Sequence, residues 1–174
     1  IGLPKELFPK NFAGWADDSI RKMGVHASTH IDAPWHYGPT SEGKPAKTVD
    51  QIPLDWCYGP GVKIDMTHKK ELDPITAEDL KEAVSKSGVK IEKGTIVLIH
   101  TGRDKFAGTA EYPYKGTGMS KGATLWLIEQ GVKVMGIDQW GWDIPLNHQA
   151  KLAKETKNKN LFWEGHLVGL DHEF

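Results

Sequence analysis

The chain has 174 residues, 22 Lys and Arg against 23 Asp and Glu, a net charge of −1 and 39% hydrophobic residues. That balance is ordinary for a globular domain, and it excludes the basic stripe of a nucleic-acid binder and the composition of a disordered or fibrous chain. The length fits one domain with a core of its own, and no apolar run reaches the eighteen residues that a membrane helix needs.

In chain order, residues 1 to 20 are punctuated by Pro and Gly and read as irregular, and the densest His cluster lies at 24 to 36. Residues 37 to 60 are rich in Gly, Pro, Ser and Thr, which predicts a long surface loop. The alternation from Val62 to Met66 predicts a short half-buried strand. Thr76 then opens a helix as its N-cap, with acids in the first turn, Leu80, Ala83 and Val84 on one face, and Gly88 as the stop. Thr95 to His100 is an unbroken apolar run, which predicts a strand buried on both faces. After a Gly-rich loop over 101 to 119, Ser120 caps a second helix reaching Gln130 and closed by Gly131. Val132 to Ile137 reads as the next strand, 145 to 157 as weakly helical, and Leu161 to Phe174 returns to apolar character. The strand and helix alternation from 62 to 137 predicts an α/β domain. The lone Cys57 can form no disulfide within the chain and reads as an idle thiol, so a reducing, cytoplasmic setting is expected.

The chemistry concentrates in His26-Ala-Ser-Thr-His30-Ile-Asp32-Ala-Pro-Trp-His36. A helix would set Asp32 about 200° round from the two histidines, and Pro34 opposes helical geometry at Ala33. In an extended chain His30 and Asp32 share a side, with α-carbons about 6–7 Å apart, so both can converge on one ion. His26 joins them only if the chain bends near Ala27 and Ser28. Two imidazoles and one carboxylate leave coordination positions open, as catalytic rather than structural zinc or manganese sites do. The bland alternative is that these histidines cap loops or satisfy backbone groups. His36, stiffened by Pro34 and Trp35, is of the type that passes a proton near neutral pH.

Elsewhere the residues divide between function and structure. Arg103, at the exit of the apolar strand, points to an anionic substrate or to a salt bridge with Asp104 or another acid. Asp138 and Asp143 follow a strand, where carboxylates order a site or cap a turn. On a strand, Glu164 and His166 would face the same way, and either could reach an ion. His68, His100 and His148 carry no such signal. The glycines of 116 to 122 match no nucleotide-binding spacing.

The 26–36 segment resembles the H-x-G-T-H-x-D-x-P-x-H signature of the metal-dependent cyclase-like hydrolases, the family of bacterial kynurenine formamidase and isatin hydrolase. The likeness extends to Thr95–Asp104, Gly136–Asp143 and Trp163–His166, and so covers the chain from about residue 21. It implies a swivelling β/β/α fold and hydrolysis of an amide, formamide or lactam-like acyl bond. It also implies His26, His30 and Asp32 as ligands of a first zinc or manganese ion, with Asp32 bridging to a second ion that His166 also binds. His36 matches the catalytic acid/base. The expected partner is a small molecule, aromatic if Trp side chains stack on it, and the family implies a homo-oligomer. A cyclase or lactone hydrolase of the same family, or a non-catalytic metal-binding protein, is the competing reading. Ser28 stands where the family has Gly, so the bend after His26 must form around a β-carbon. The family's first strand has no counterpart before Ile1, and a further metal-binding Glu would fall past Phe174. Residues 1–174 therefore read as one domain trimmed at both ends, with its second metal site incomplete.

Overall fold

A computed structural model describes residues 22–174 of the chain; the irregular stretch expected over 1–20 lies outside them. Two units divide the chain, Ile1–Ile31 and Asp32–Phe174. In chain order the second holds β1 (Thr40–Ser41), β2 (Lys44–Pro45), β3 (Gly61–Asp65), β4 (Pro74–Ile75), α1 (Ala77–Ser87), β5 (Ile96–His100), β6 (Gly118–Met119), α2 (Lys121–Glu129), β7 (Met135–Ile137) and α3 (Leu146–Thr156). Short 3-10 turns fill much of the rest.

Local chemistry sets the two central helices. Thr76 accepts from Asp79 N while the Asp79 carboxylate takes Thr76 N at 2.7 Å, a reciprocal cap that satisfies two donors of the first turn. Gly88 ends α1 in the left-handed conformation, φ +69°, that a residue without a β-carbon adopts freely. Ser120 caps α2 by accepting from Ala123 N at 3.2 Å. Both helices begin next to each other because β4 and β6 pair in parallel just before the caps, with Ser120 N bonded to Ile75 O at 3.0 Å.

The main sheet has the order β3-β5-β7, all parallel, with Ile64 opposite Ile99 and Ile99 opposite Ile137. Parallel neighbours need a crossover, and α1 and α2 supply the two. Ile64, Val97 and Ile99 meet Leu80, Ala123, Leu127 and Val132 in one buried cluster. The expectation that the apolar strand is buried on both faces is corrected here. Val97 and Ile99 are covered, but Leu98 between them is 51% exposed. Its run of apolar residues suggested double cover, whereas among the described residues the helices pack on one face only. On the other face Leu98 lies over Gly136, where a β-carbon would stand 3.1 Å from its Cδ2.

The expected loop over 37–60 contains a small hairpin. Its turn residues Glu42 and Gly43 both have positive φ, +52° and +71°, the geometry that matches strand twist in a two-residue turn. Four contacts tie this hairpin region to the chain's last residues: Ser41 Oγ donates to Gly169 O at 2.6 Å, Glu42 N to Leu170 O at 3.2 Å, Glu173 N to Glu42 Oε1 at 3.2 Å, and Lys47 pairs with Glu173. The last residues are not a strand: His166–Leu170 is a 3-10 turn. Glu164 and His166 therefore do not share a strand face, as their spacing suggested.

Leu80 is fully buried, so Leu80→Ala is expected to cost about 2–5 kcal/mol, whereas Leu98→Ala is expected to stay within about 1 kcal/mol. Chemical denaturation of both variants measures the difference, and equal losses would contradict the one-sided core.

Candidate functional site

In the smaller unit the bend after His26 is made at Ser28, whose φ is +61°. A left-handed residue with a β-carbon costs roughly 1–2 kcal/mol, the strain anticipated where the family motif has Gly. The bend turns the Ser28 carbonyl to His30, whose Nδ1 lies 2.8 Å from it. That leaves Nε2 as the outward nitrogen of His30, and His26 Nδ1 lies 2.9 Å away. Two ligands of a tetrahedral zinc at about 2.0–2.1 Å stand about 3.3 Å apart, so the pair needs only a few tenths of an ångström to accept an ion. The donor set fits a divalent metal, with a carbonyl already fixing the His30 ring.

In the larger unit the chain enters a 3-10 turn, Pro34–His36, with Pro at its first position. His36 Nδ1 stands 3.8 Å from Asp32 Oδ1. The seam between hairpin and C-terminal residues brings the His36 ring to 5.7 Å from that of His166, centroid to centroid. Trp163 stacks on His166 at 4.9 Å and 15°, and its centroid is 5.9 Å from that of His36. Trp163 itself has φ +61°, held by Gln149 Oε1 at its N–H and by Leu167 N at its carbonyl. Such a conformation is an outlier for a bulky residue, and outliers cluster at functional sites.

His166 is oriented by Asp143. One carboxylate oxygen accepts Gly165 N at 2.7 Å; the other accepts His166 N at 3.2 Å and pairs with His166 Nδ1. The Asp143 segment sits directly on Gly118, where a β-carbon would lie 2.0 Å from Ile144 N. Asp143 thus holds both the backbone and the ring of His166. The oxygens of Asp138 take Thr101 N, Thr101 Oγ1 and Gly102 N, all at 2.7 Å, and so hold a turn. His100, Asp104 and Asp138 place ligand atoms within 4.8 Å of one another, but Asp138 is largely committed to that turn.

Arg103 forms neither expected contact with an acid among the described residues. Its guanidinium donates to Thr101 O at 2.6 Å and Lys69 O at 2.9 Å, joining the loops after β3 and β5. Glu164 has its pKa raised by burial and by the neighbouring Asp143 charge. Both carboxyls border a cavity of about 170 Å³ with Met119, Leu152 and Leu161. Cys57 is exposed.

Tyr37 is the site residue that spacing did not reveal. Its ring stacks on Phe174 at 5.0 Å and meets both His36 and His166 edge to face, at 5.5 and 6.0 Å. It occupies space that a β-carbon on Gly169 would fill, 2.1 Å from Tyr37 Cδ2. Burial, then the charges of Asp32 and Asp143, push its phenol well above the ordinary range. The one signal in the sequence was its place directly after His36.

A parallel α/β unit with paired histidines and carboxylates defines a class with metal-ligand chemistry to offer. The chain matches the Cyclase family model, described as "Putative cyclase", over residues 5–144, and it belongs to that family. It is 27% identical over 126 residues to cyclase-like protein 1 of Arabidopsis thaliana, covering 71% of this chain and 46% of that protein. Among solved structures it resembles isatin hydrolase A from Ralstonia solanacearum, at 24% identity and a TM-score of 0.67, over 86% of this chain and 57% of that one. It also resembles a potential metal-dependent hydrolase with cyclase activity, at 27% identity and a TM-score of 0.57, over 85% and 57%. The mixed α/β architecture is thus that of the cyclase-family hydrolases. The chain spans about half the length of these relatives. No helix among the described residues is long and apolar enough to cross a membrane.

Because the fold raises the Tyr37 pKa above its ordinary value near 10, the folded state holds this proton longer than the unfolded chain does. Folding stability from this group is intact below about pH 10 and falls as the pH rises past it. Denaturation curves across that range are expected to flatten in Tyr37→Phe; an unchanged slope would remove Tyr37 as the cause.

Proposed function

We propose that this protein is a metal-dependent hydrolase that opens an amide, formamide or lactam-like carbonyl in a small molecule. The observation that carries the reading is the convergence of Asp32, His36 and His166, with a His36 to His166 ring separation of 5.7 Å. His26, His30 and Asp32 are assigned as ligands of one divalent ion, zinc or manganese. His166 and Asp32 would hold a second. When bound, an ion there polarises a carbonyl oxygen and lowers the pKa of water to about 7.

The chain's own residues supply the rest. His36, outside the ligand set and held on a short turn, takes the proton that the attacking water sheds and gives it to the departing nitrogen. Amide cleavage needs that step, because an unprotonated amine anion is a poor leaving group. Tyr37 stays a neutral phenol through the working range and lends a hydrogen-bond donor beside the carboxylates. Trp140, half exposed past the end of β7, offers a ring face to a planar, aromatic substrate. Arg103 keeps donors beyond its two carbonyl bonds and remains assigned to an anionic group of the substrate. Exposed Leu54, Tyr58 and Trp35 offer apolar surface for self-assembly. A cyclase or lactone hydrolase is the second reading, favoured by the relative described as having cyclase activity. The two differ in dependence on His36, since an oxygen leaving group departs with less help.

Asp32→Ala is expected to lose bound ion, measured by elemental analysis after dialysis; stoichiometric metal in that variant would sink the ligand assignment. His36→Ala is expected to keep its ion and lose about 10²–10⁴-fold in turnover of an aryl formamide. Loss of metal in step with activity would make His36 a ligand instead.

A further inference from the structure

We propose that Asp143 is a positioning residue that selects which nitrogen of His166 is presented to a metal ion, an inference that rests on the assignment of His166 as a ligand. The Asp143 side chain is only 4% exposed. Each of its oxygens already accepts a backbone N–H, one from Gly165 and one from His166, so it meets the ring as an acceptor. Facing His166 Nδ1, it therefore requires the imidazole proton to sit on that nitrogen. In the neutral ring this leaves Nε2 bare, the form that binds a metal.

The same carboxylate also fixes where the ring starts. It takes Gly165 N at 2.7 Å and His166 N at 3.2 Å, so backbone and side chain are anchored by one group. Trp163, stacked at 15°, closes the ring's face and removes its remaining rotation. Close approach is possible because the partners lack side chains: a β-carbon on Gly165 would stand 3.1 Å from Asp143 Oδ1, and one on Gly118 would lie 2.1 Å from Asp143 C. Asp143 is thus held from behind by a backbone contact and spends its oxygens on two adjacent residues, Gly165 and His166. That arrangement suits orientation better than charge neutralisation.

Nitrogen-15 spectra of the histidine rings, recorded at a pH where imidazole is neutral, test this directly. In the wild-type protein without metal, His166 is expected to carry its proton on Nδ1; a proton on Nε2 would overturn the proposal without any variant. In Asp143→Asn, which keeps size and shape, the Nε2–H form is expected to gain population. Titrating zinc while following the His166 signal, half-saturation in D143N is expected about 10–100-fold higher than in wild type, with His26 and His30 titrating as before. An unchanged tautomer and unchanged half-saturation at His166 would overturn the positioning role while leaving the metal reading intact. A wild-type His166 that ignores zinc would overturn the ligand assignment, and this proposal with it.

Discussion

The site depends on the seam between the hairpin region and the last residues of the chain. Ser41, Glu42 and Lys47 each reach across to Gly169, Leu170 or Glu173, and Tyr37 fills the space left by the bare Gly169. Two of these contacts use backbone carbonyls, so they set register rather than mere proximity. Without them His36 and His166, which lie near opposite ends of the described residues, have no local reason to meet. Neither segment is a strand or helix of any length. The convergence of the two histidines is therefore a property of irregular backbone, held by side chains that stitch carbonyls together.

The α/β part of the molecule serves as a fixed frame for that irregular part. The reciprocal cap at Thr76 and Asp79 and the Ser120 cap start both helices at the β4–β6 pair. β6 then continues the support outward: Gly118 underlies the Asp143 segment, and Met119 N bonds Trp142 O at 2.8 Å. A line of direct contact thus runs from the helix starts through β6 to Asp143 and on to His166. At the carboxyl ends of the main strands, Asp138 and Arg103 use their polar atoms on loop backbone. Charges that look functional in sequence are here employed in holding loops against the sheet.

What was legible in the sequence follows the range of the interaction involved. Caps and stops are local, so Thr76, Gly88, Ser120 and Gly131 marked the helix limits within a residue or two. The bend after His26 was legible for the same reason: an extended chain could not bring His26 to Asp32, and the turn falls at Ser28. Burial of Leu98 was misread because periodicity reports a strand's own residues and not what packs on each face. Arg103 was paired in expectation with acids because sequence displays carboxylates, whereas unpaired carbonyls of distant loops leave no mark in it. The spacing of Glu164 and His166 puts them on one face only if the segment is a strand, and a 3-10 turn begins at His166 instead. Tyr37 escaped notice because its role depends on Gly169 and Phe174, at the far end of the chain.

Trp163 carries a tension of its own. Its backbone sits where glycine would be at ease, yet its indole is the surface against which His166 lies flat. Conformational comfort and ring support therefore make opposite demands on one position. Any residue that relaxed the main chain there by shedding its side chain would also unseat the imidazole. A sturdier fold and a well-ordered site are, at this point of the chain, alternatives, and the residue present takes the side of the site.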